Sequence, residues 1–188
     1  LPEITIRQSG EDNLLVELGS PVLDLTLRFQ VQALYEWLQR QAVTGVIDHI
    51  VTGDRWIGAA GKPTTRNGSR VRTRRCASLG RAMLSASNPD FFKADETARF
   101  ERLRSRTQWR IYGGSCFSYG LLASGRTDVA IDSALSIHDY APYVPILAGA
   151  GGIITEWAGQ PITINSGRQI LAAGDPERHA EALALLSA

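Results

Sequence analysis

Cysteine is scarce in this sequence, methionine scarcer still, and neither sign of charge prevails. Cys76 and Cys116 stand far apart with no neighbouring Cys or His at metal-binding spacing, which excludes a zinc knuckle and a disulfide framework and leaves two buried thiols as the expectation. Twenty basic residues against nineteen acidic ones give no global field to attract nucleic acid or an anionic membrane. No apolar run approaches the ~20 residues needed to span a bilayer, and no basic stretch followed by an apolar one opens the sequence. These absences predict a cytoplasmic protein with neither membrane nor nucleic-acid partners. What is abundant is apolar side chain: 44% of 188 residues is ample for a sizeable core.

The first third reads as antiparallel β with one covering helix. Ile4 and Ile6 alternate with polar neighbours, residues 10–13 suit a turn and 14–18 are apolar apart from Glu17, which together predict a hairpin. From Leu27, the positions Val31, Leu34, Tyr35 and Leu38 recur at helical spacing. Strands are expected over 46–51 and 55–59, with a loop over 61–68 that carries Pro63 and the turn signal Asn67-Gly68.

Past Ala82 the pattern changes to alternation. Strands at 83–86, 109–112, 129–131, 153–157 and 170–173 are interleaved with helices at 95–107, 116–123 and 142–148, and a last helix starts at Pro176 behind the cap Asp175. Such alternation predicts a sheet covered on both faces. The domains expected are 1–80, antiparallel β with a helix, and 81–188, α/β.

Several motifs follow one another in order: Arg110-Ile-Tyr-Gly113-Gly114-Ser115, then Gly120 through Asp128, then His138-Asp139-Tyr-Ala141-Pro and the run through Gly151-Gly152. With Gly45-Val-Ile-Asp48 and Gly53-Asp-Arg-Trp-Ile-Gly-Ala-Ala60 upstream, residues 45–188 resemble the C-terminal portion of the inositol monophosphatase superfamily, in wording closest to its histidinol-phosphatase branch. Residues 1–48, through Gly10 to Gly19 and Leu23 to Leu34, are similar instead to the carboxyltransferase region of urea carboxylases and allophanate-hydrolase-type subunits. Gly45 to Asp48 fits both parents, so the two resemblances imply a chimera joined near that strand, with 1–44 the carboxyltransferase-like fragment and 45–80 the phosphatase-derived strands.

The resemblance implies an α+β to α/β architecture, antiparallel strands and a helix leading into the sandwich of the inositol-monophosphatase type. It also implies Mg²⁺-dependent hydrolysis of a phosphate monoester. Asp139 matches the family's C-terminal metal ligand; Asp132 stands where the histidinol-phosphatase branch has a substrate-contacting Glu and Ser115 where it tends to have Asp, while Gly113 and Gly114 before a helix start offer backbone N–H groups to an anionic substrate. Most of the family's ligands come from an upstream Glu and an Asp-Pro-Ile/Leu-Asp-Gly-Ser/Thr loop, which this sequence does not contain. A lone carboxylate is a poor Mg²⁺ site, so the expectation is weak or absent Mg²⁺ binding and little turnover. The alternatives are an active phosphatase on histidinol phosphate or a similar ester with a rebuilt metal site, and a module that offers strand edges to a partner, including a second copy.

Two further readings come from residue type alone. Arg70, Arg72 and Arg74 alternate as on one face of a solvated edge strand, and Phe91, Phe92, Phe100, Trp109, Tyr119 and Trp157 are assigned to packing. The histidines His49, His138 and His179 are too scattered to form a catalytic set, and a structural or exposed place is expected for each.

Overall fold

The computed structural model describes residues 4–9, 13–18 and 44–187. The chain divides into two compact units, Leu1–Val43 and Thr44–Ala188. In the first, β1 (Ile4–Ser9) and β2 (Asn13–Leu18) form the expected antiparallel hairpin, in a register from Ile4 opposite Leu18 to Ser9 opposite Asn13. The helix read from Leu27 to Leu38 lies outside the described residues.

The second unit opens with β3 (Thr44–His49), β4 (Asp54–Ala59), β5 (Thr65–Arg66) and β6 (Ser69–Arg70), an antiparallel four-stranded sheet in chain order. The first strand stops two residues before the expected end because the His49 carbonyl accepts the N–H groups of Thr52 and Gly53 and turns the chain. Asn67 and Gly68, with φ of 49° and 80°, make the tight turn between β5 and β6, so the loop read over 61–68 contains a strand.

Next come β7 (Met83–Ala86), α1 (Ala94–Ser105), β8 (Trp109–Tyr112), α2 (Ser115–Ala123), β9 (Val129–Asp132), the short α3 (Ile137–Tyr140), α4 (Tyr143–Ala150), β10 (Ile153–Glu156), β11 (Ile170–Ala173) and α5 (Pro176–Ser187). The strands form a five-stranded sheet in the order β10-β11-β9-β7-β8, in which β7 runs parallel to β8 and β9 while β11 is antiparallel to its neighbours.

Strand periodicity sends alternate side chains to opposite faces, and both faces of this sheet are buried. Val129, Ile131, Leu171 and Ala173 join Phe100, Leu103, Ala182 and Leu186 under α1 and α5. Ala130, Ile170 and Ala172 join Tyr119, Leu122, Ile146, Leu147 and the sheet residues Ile47 and Trp56 on the other side. The unit is therefore layered, with α1 and α5, the mixed sheet, α2 and α4, and the antiparallel sheet in succession. Gly58 makes the last contact close: a Cβ there would lie 2.4 Å from the Cα of Ile146 in α4.

Two residue-type readings are corrected. Arg74 is no member of a solvated strand edge, because β6 ends at Arg70 and the Arg74 guanidinium forks onto buried Asp128, with both hydrogen bonds at 2.7 Å. Phe92, Phe100, Tyr119 and Trp157 are core residues, whereas Phe91 and Trp109 are exposed, one at the end of a single 3-10 turn and the other on an edge strand. Cys76 is buried and Cys116 half-buried. His179 is buried against the Thr155 hydroxyl, His49 stacks on Phe117 and His138 is exposed.

Candidate functional site

In an open sheet with parallel strands, the carboxyl ends of those strands leave a crevice where ligands bind. Here β7, β8 and β9 deliver Ser87, the turn Gly113-Gly114-Ser115 and Asp132 to that end of the sheet. Gly113 takes a φ of 84°, open to glycine at no steric cost, and its N–H donates to the Ser87 carbonyl at 2.8 Å. Gly114 then starts α2 without a side-chain cap. The predicted residues 113–115 are thus brought together at a helix N-terminus.

Asp132 reaches the same end but points inward. Its Oδ1 accepts the Ser87 N–H at 2.7 Å, its Oδ2 accepts the Tyr119 hydroxyl at 2.8 Å, and only 3% of the residue is exposed. Tyr119 is itself fully buried and stacked on Tyr143 at 4.0 Å. Burial pushes the Asp132 carboxyl above its ordinary value, against the pull of the Ser87 and Tyr119 hydrogen bonds. Burial and the neighbouring Asp132 charge likewise push the Tyr119 phenol well up. The geometry makes Asp132 a strut between two strand ends and α2.

The sign of that shift gives a prediction. Between the ordinary aspartate value and the raised one, the folded state binds more protons than the unfolded one, so stability falls as pH rises through this window. Asp132→Asn should abolish that slope in urea midpoints measured across the window while keeping a partner for each neighbour. Asp132→Ala should cost about 2–3 kcal/mol, because it leaves the Ser87 N–H and the Tyr119 hydroxyl unpaired inside. Equal losses for the two variants would refute the strut.

Asp139 is exposed in the first turn of α3, where its Oδ2 accepts the Ser136 N–H at 2.7 Å and the Ser136 hydroxyl at 2.9 Å. It closes the capping box at the start of α3. The segment that leads into α3 is fastened at Ser133 by Glu96, a residue not singled out from the sequence. The buried Glu96 carboxylate accepts Ser133 Oγ at 2.8 Å and Gln169 Nε2 at 2.6 Å on one oxygen, and the Lys93 N–H at 2.8 Å on the other. Burial alone would raise the Glu96 carboxyl, yet these hydrogen bonds hold it below the ordinary range. The available signal was its third position in α1, where a Glu reaches back to the helix start.

Mg²⁺ needs several oxygen ligands in near-octahedral array. Among the described residues no group of three or more Asp, Glu, His or Cys side chains converges on one point. Asp139 offers one carboxylate with an oxygen already engaged, and both Asp132 oxygens face inward. These residues do not fit the ion.

The sequence pattern of the inositol monophosphatase family matches residues 33–188. The chain is 35% identical over 148 residues to a chloroplastic bifunctional phosphatase of Arabidopsis thaliana, covering 75% of this chain and 43% of that protein. It is 30% identical over 145 residues to a probable inositol 1-monophosphatase of Mycobacterium tuberculosis, covering 72% of this chain and 52% of the relative. It thus spans about half the length of the curated relatives it matches. A solved inositol monophosphatase from Zymomonas mobilis superposes with a TM-score of 0.75 at 34% identity, over 77% of this chain and 57% of that one. The sandwich expected from the sequence is the fold of these structures.

Proposed function

From the premise that this chain belongs to the inositol monophosphatase family across residues 33–188, we propose that it carries the C-terminal portion of a phosphate monoesterase and, as the 188-residue chain, turns over little or no substrate. Enzymes of this family use Mg²⁺. The observation that carries the reading is Asp139, a single exposed carboxylate committed to Ser136, with no cluster of three ligand side chains among the described residues. What the strand ends retain is a place for an anion: an uncapped α2 N-terminus behind a glycine turn, where backbone N–H groups and the helix dipole favour negative charge.

The family match begins at residue 33, inside the stretch similar to carboxyltransferases and upstream of the join expected near β3, so it supports one parent across the expected join. The competing reading is an active enzyme on histidinol phosphate, favoured by a histidinol-phosphatase of Chlorobaculum parvum that is 36% identical over 76 residues.

The test is phosphate release from histidinol phosphate and from inositol monophosphate, with Mg²⁺ and with chelator. The expected result is release at the chelator background for the chain and for Asp139→Asn alike. Mg²⁺-dependent release that Asp139→Asn abolishes would establish the active enzyme instead.

A further inference from the structure

Charge balances over the chain as a whole but not along it. From Arg55 to Pro89 there is no acidic residue, while eight cations stand there, seven of them arginine. Three are spent within the fold: Arg55 on Asp48, Arg66 on Asp54 and Arg74 on Asp128. Arg70, Arg72 and Arg75 are exposed and make no ion pair or side-chain hydrogen bond among the described residues. Arg126 is equally free and joins them from the end of α2, since a Cβ on the preceding Gly125 would lie 3.0 Å from the Arg72 carbonyl oxygen and 3.4 Å from the Arg74 N. Unpaired like charges gathered in one place repel one another and attract an opposite partner.

The fold gives these guanidinium groups no duty. Carbonyls that end α2 are taken by the N–H groups of Ser124, Gly125 and Arg126, and those that end α4 by Thr73, Gly151 and Gly152, so no free arginine side chain is bonded to either helix end. The carboxylates that touch the segment are engaged as well: Asp54 and Asp128 lie buried under Arg66 and Arg74, and Asp175 accepts the Cys76 and Glu177 N–H groups. Exposure alternates along the connector, with Arg70 and Arg72 outward and Val71 and Thr73 half-buried, their N–H groups donated to Thr64 and Ala150. An extended chain rises about 3.3 Å per residue, which sets Arg70 and Arg72 about 6.6 Å apart on the outward side.

We propose that this row is a docking surface for an acidic peptide segment of another protein, bound extended along residues 70–75, with alternate carboxylates on Arg70 and Arg72 and flanking ones on Arg75 and Arg126. Alternate residues of an extended peptide repeat at the same spacing as the two central arginines. A guanidinium takes a carboxylate in a two-point fork, as Arg66 and Arg74 already do within this chain. Nucleic acid fits the row less well. No aromatic residue lies between Trp56 and Phe91 to stack a base, and the free arginines follow one connector rather than the two backbones of a duplex. An exposed charged surface of this kind gives binding that is specific in charge and sensitive to salt.

The experiment is fluorescence anisotropy of a labelled peptide of alternating Glu and Thr, titrated with the full chain, beside the same peptide with Gln in place of Glu and a labelled DNA duplex. The Glu peptide should bind in the micromolar range at low salt and the Gln peptide roughly tenfold more weakly or worse. That difference should vanish near about 1 M salt, where the screening length falls to about 3 Å. Arg72→Glu should weaken binding of the Glu peptide roughly tenfold with an unchanged circular dichroism spectrum, and Arg126→Glu, which acts from a different element, should do the same. Arg99→Glu, an equal change in net charge on an exposed position of α1, should leave the affinity within about twofold. No binding of the Glu peptide, equal binding of the Gln peptide, tighter binding of the duplex, or equal losses for Arg72→Glu and Arg99→Glu would each overturn the proposal.

Discussion

Trp56→Ala should lower the stability of the protein by about 4 kcal/mol, read as a fall in the urea midpoint at constant slope. Trp56 is fully buried in β4 and meets α2 at three points. Its Nε1–H donates to the Ser124 hydroxyl at 2.8 Å, just past the end of α2, and its ring meets the edge of Phe117 at a centroid distance of 5.7 Å. Gly120 in α2 comes so near that a Cβ would sit 2.7 Å from the indole. Removal of the ring leaves a cavity between a rigid sheet and a helix already at closest approach, and neither can collapse far into it. Trp56→Phe keeps most of the packing and loses one hydrogen bond, so its cost should be less than half as large. If Trp56→Ala cost under 1 kcal/mol, the antiparallel sheet would not be fastened to α2 through this residue.

Gly58→Val should destabilise by about 3 kcal/mol through the opposite fault, too much volume. The added Cβ would meet the Ile146 Cα at 2.4 Å and its N at 2.6 Å. These are backbone atoms of α4, so no rotamer change relieves the clash and the helix itself must shift. Gly61→Ala is the control, since nothing lies within 4 Å of its would-be Cβ, and its smaller cost comes from a φ of 69° alone. A Gly58→Val protein with the parental midpoint would refute the direct seating of α4 on β4.

Much of the architecture was legible because apolar side chains and turn residues agreed locally. Strands at 83–86, 109–112 and 170–173 and the start of the last helix at Pro176 were placed to the residue, since each lies between unambiguous breakers. Less legible was everything decided by distant partners. No periodicity marks Arg74 as the partner of Asp128, or Glu96 as the anchor of Ser133, because those contacts join segments far apart in sequence. Trp109 reads as core by composition and is exposed only because β8 is last in its sheet, a fact of strand order. At the site, the glycines marked the turn at Gly113 and the family resemblance pointed to Asp139, while the inward aim of Asp132 depended on where Tyr119 and Ser87 came to stand.

Residues 71–78 belong to no helix or strand, yet they are bonded in turn to the residue before β5, to the end of α4 and to the start of α5. Val71 N–H donates to Thr64, Thr73 N–H to Ala150 and Cys76 N–H to Asp175, while Arg178 holds the Cys76 carbonyl. A strap so fastened transmits unfolding: opening the antiparallel sheet at β5 frees the strap that also holds the ends of α4 and α5. Hydrogen exchange in residues 44–187 should therefore follow one global opening, without an early-melting antiparallel sheet, and a protease cut inside the strap should melt both sheets in a single transition.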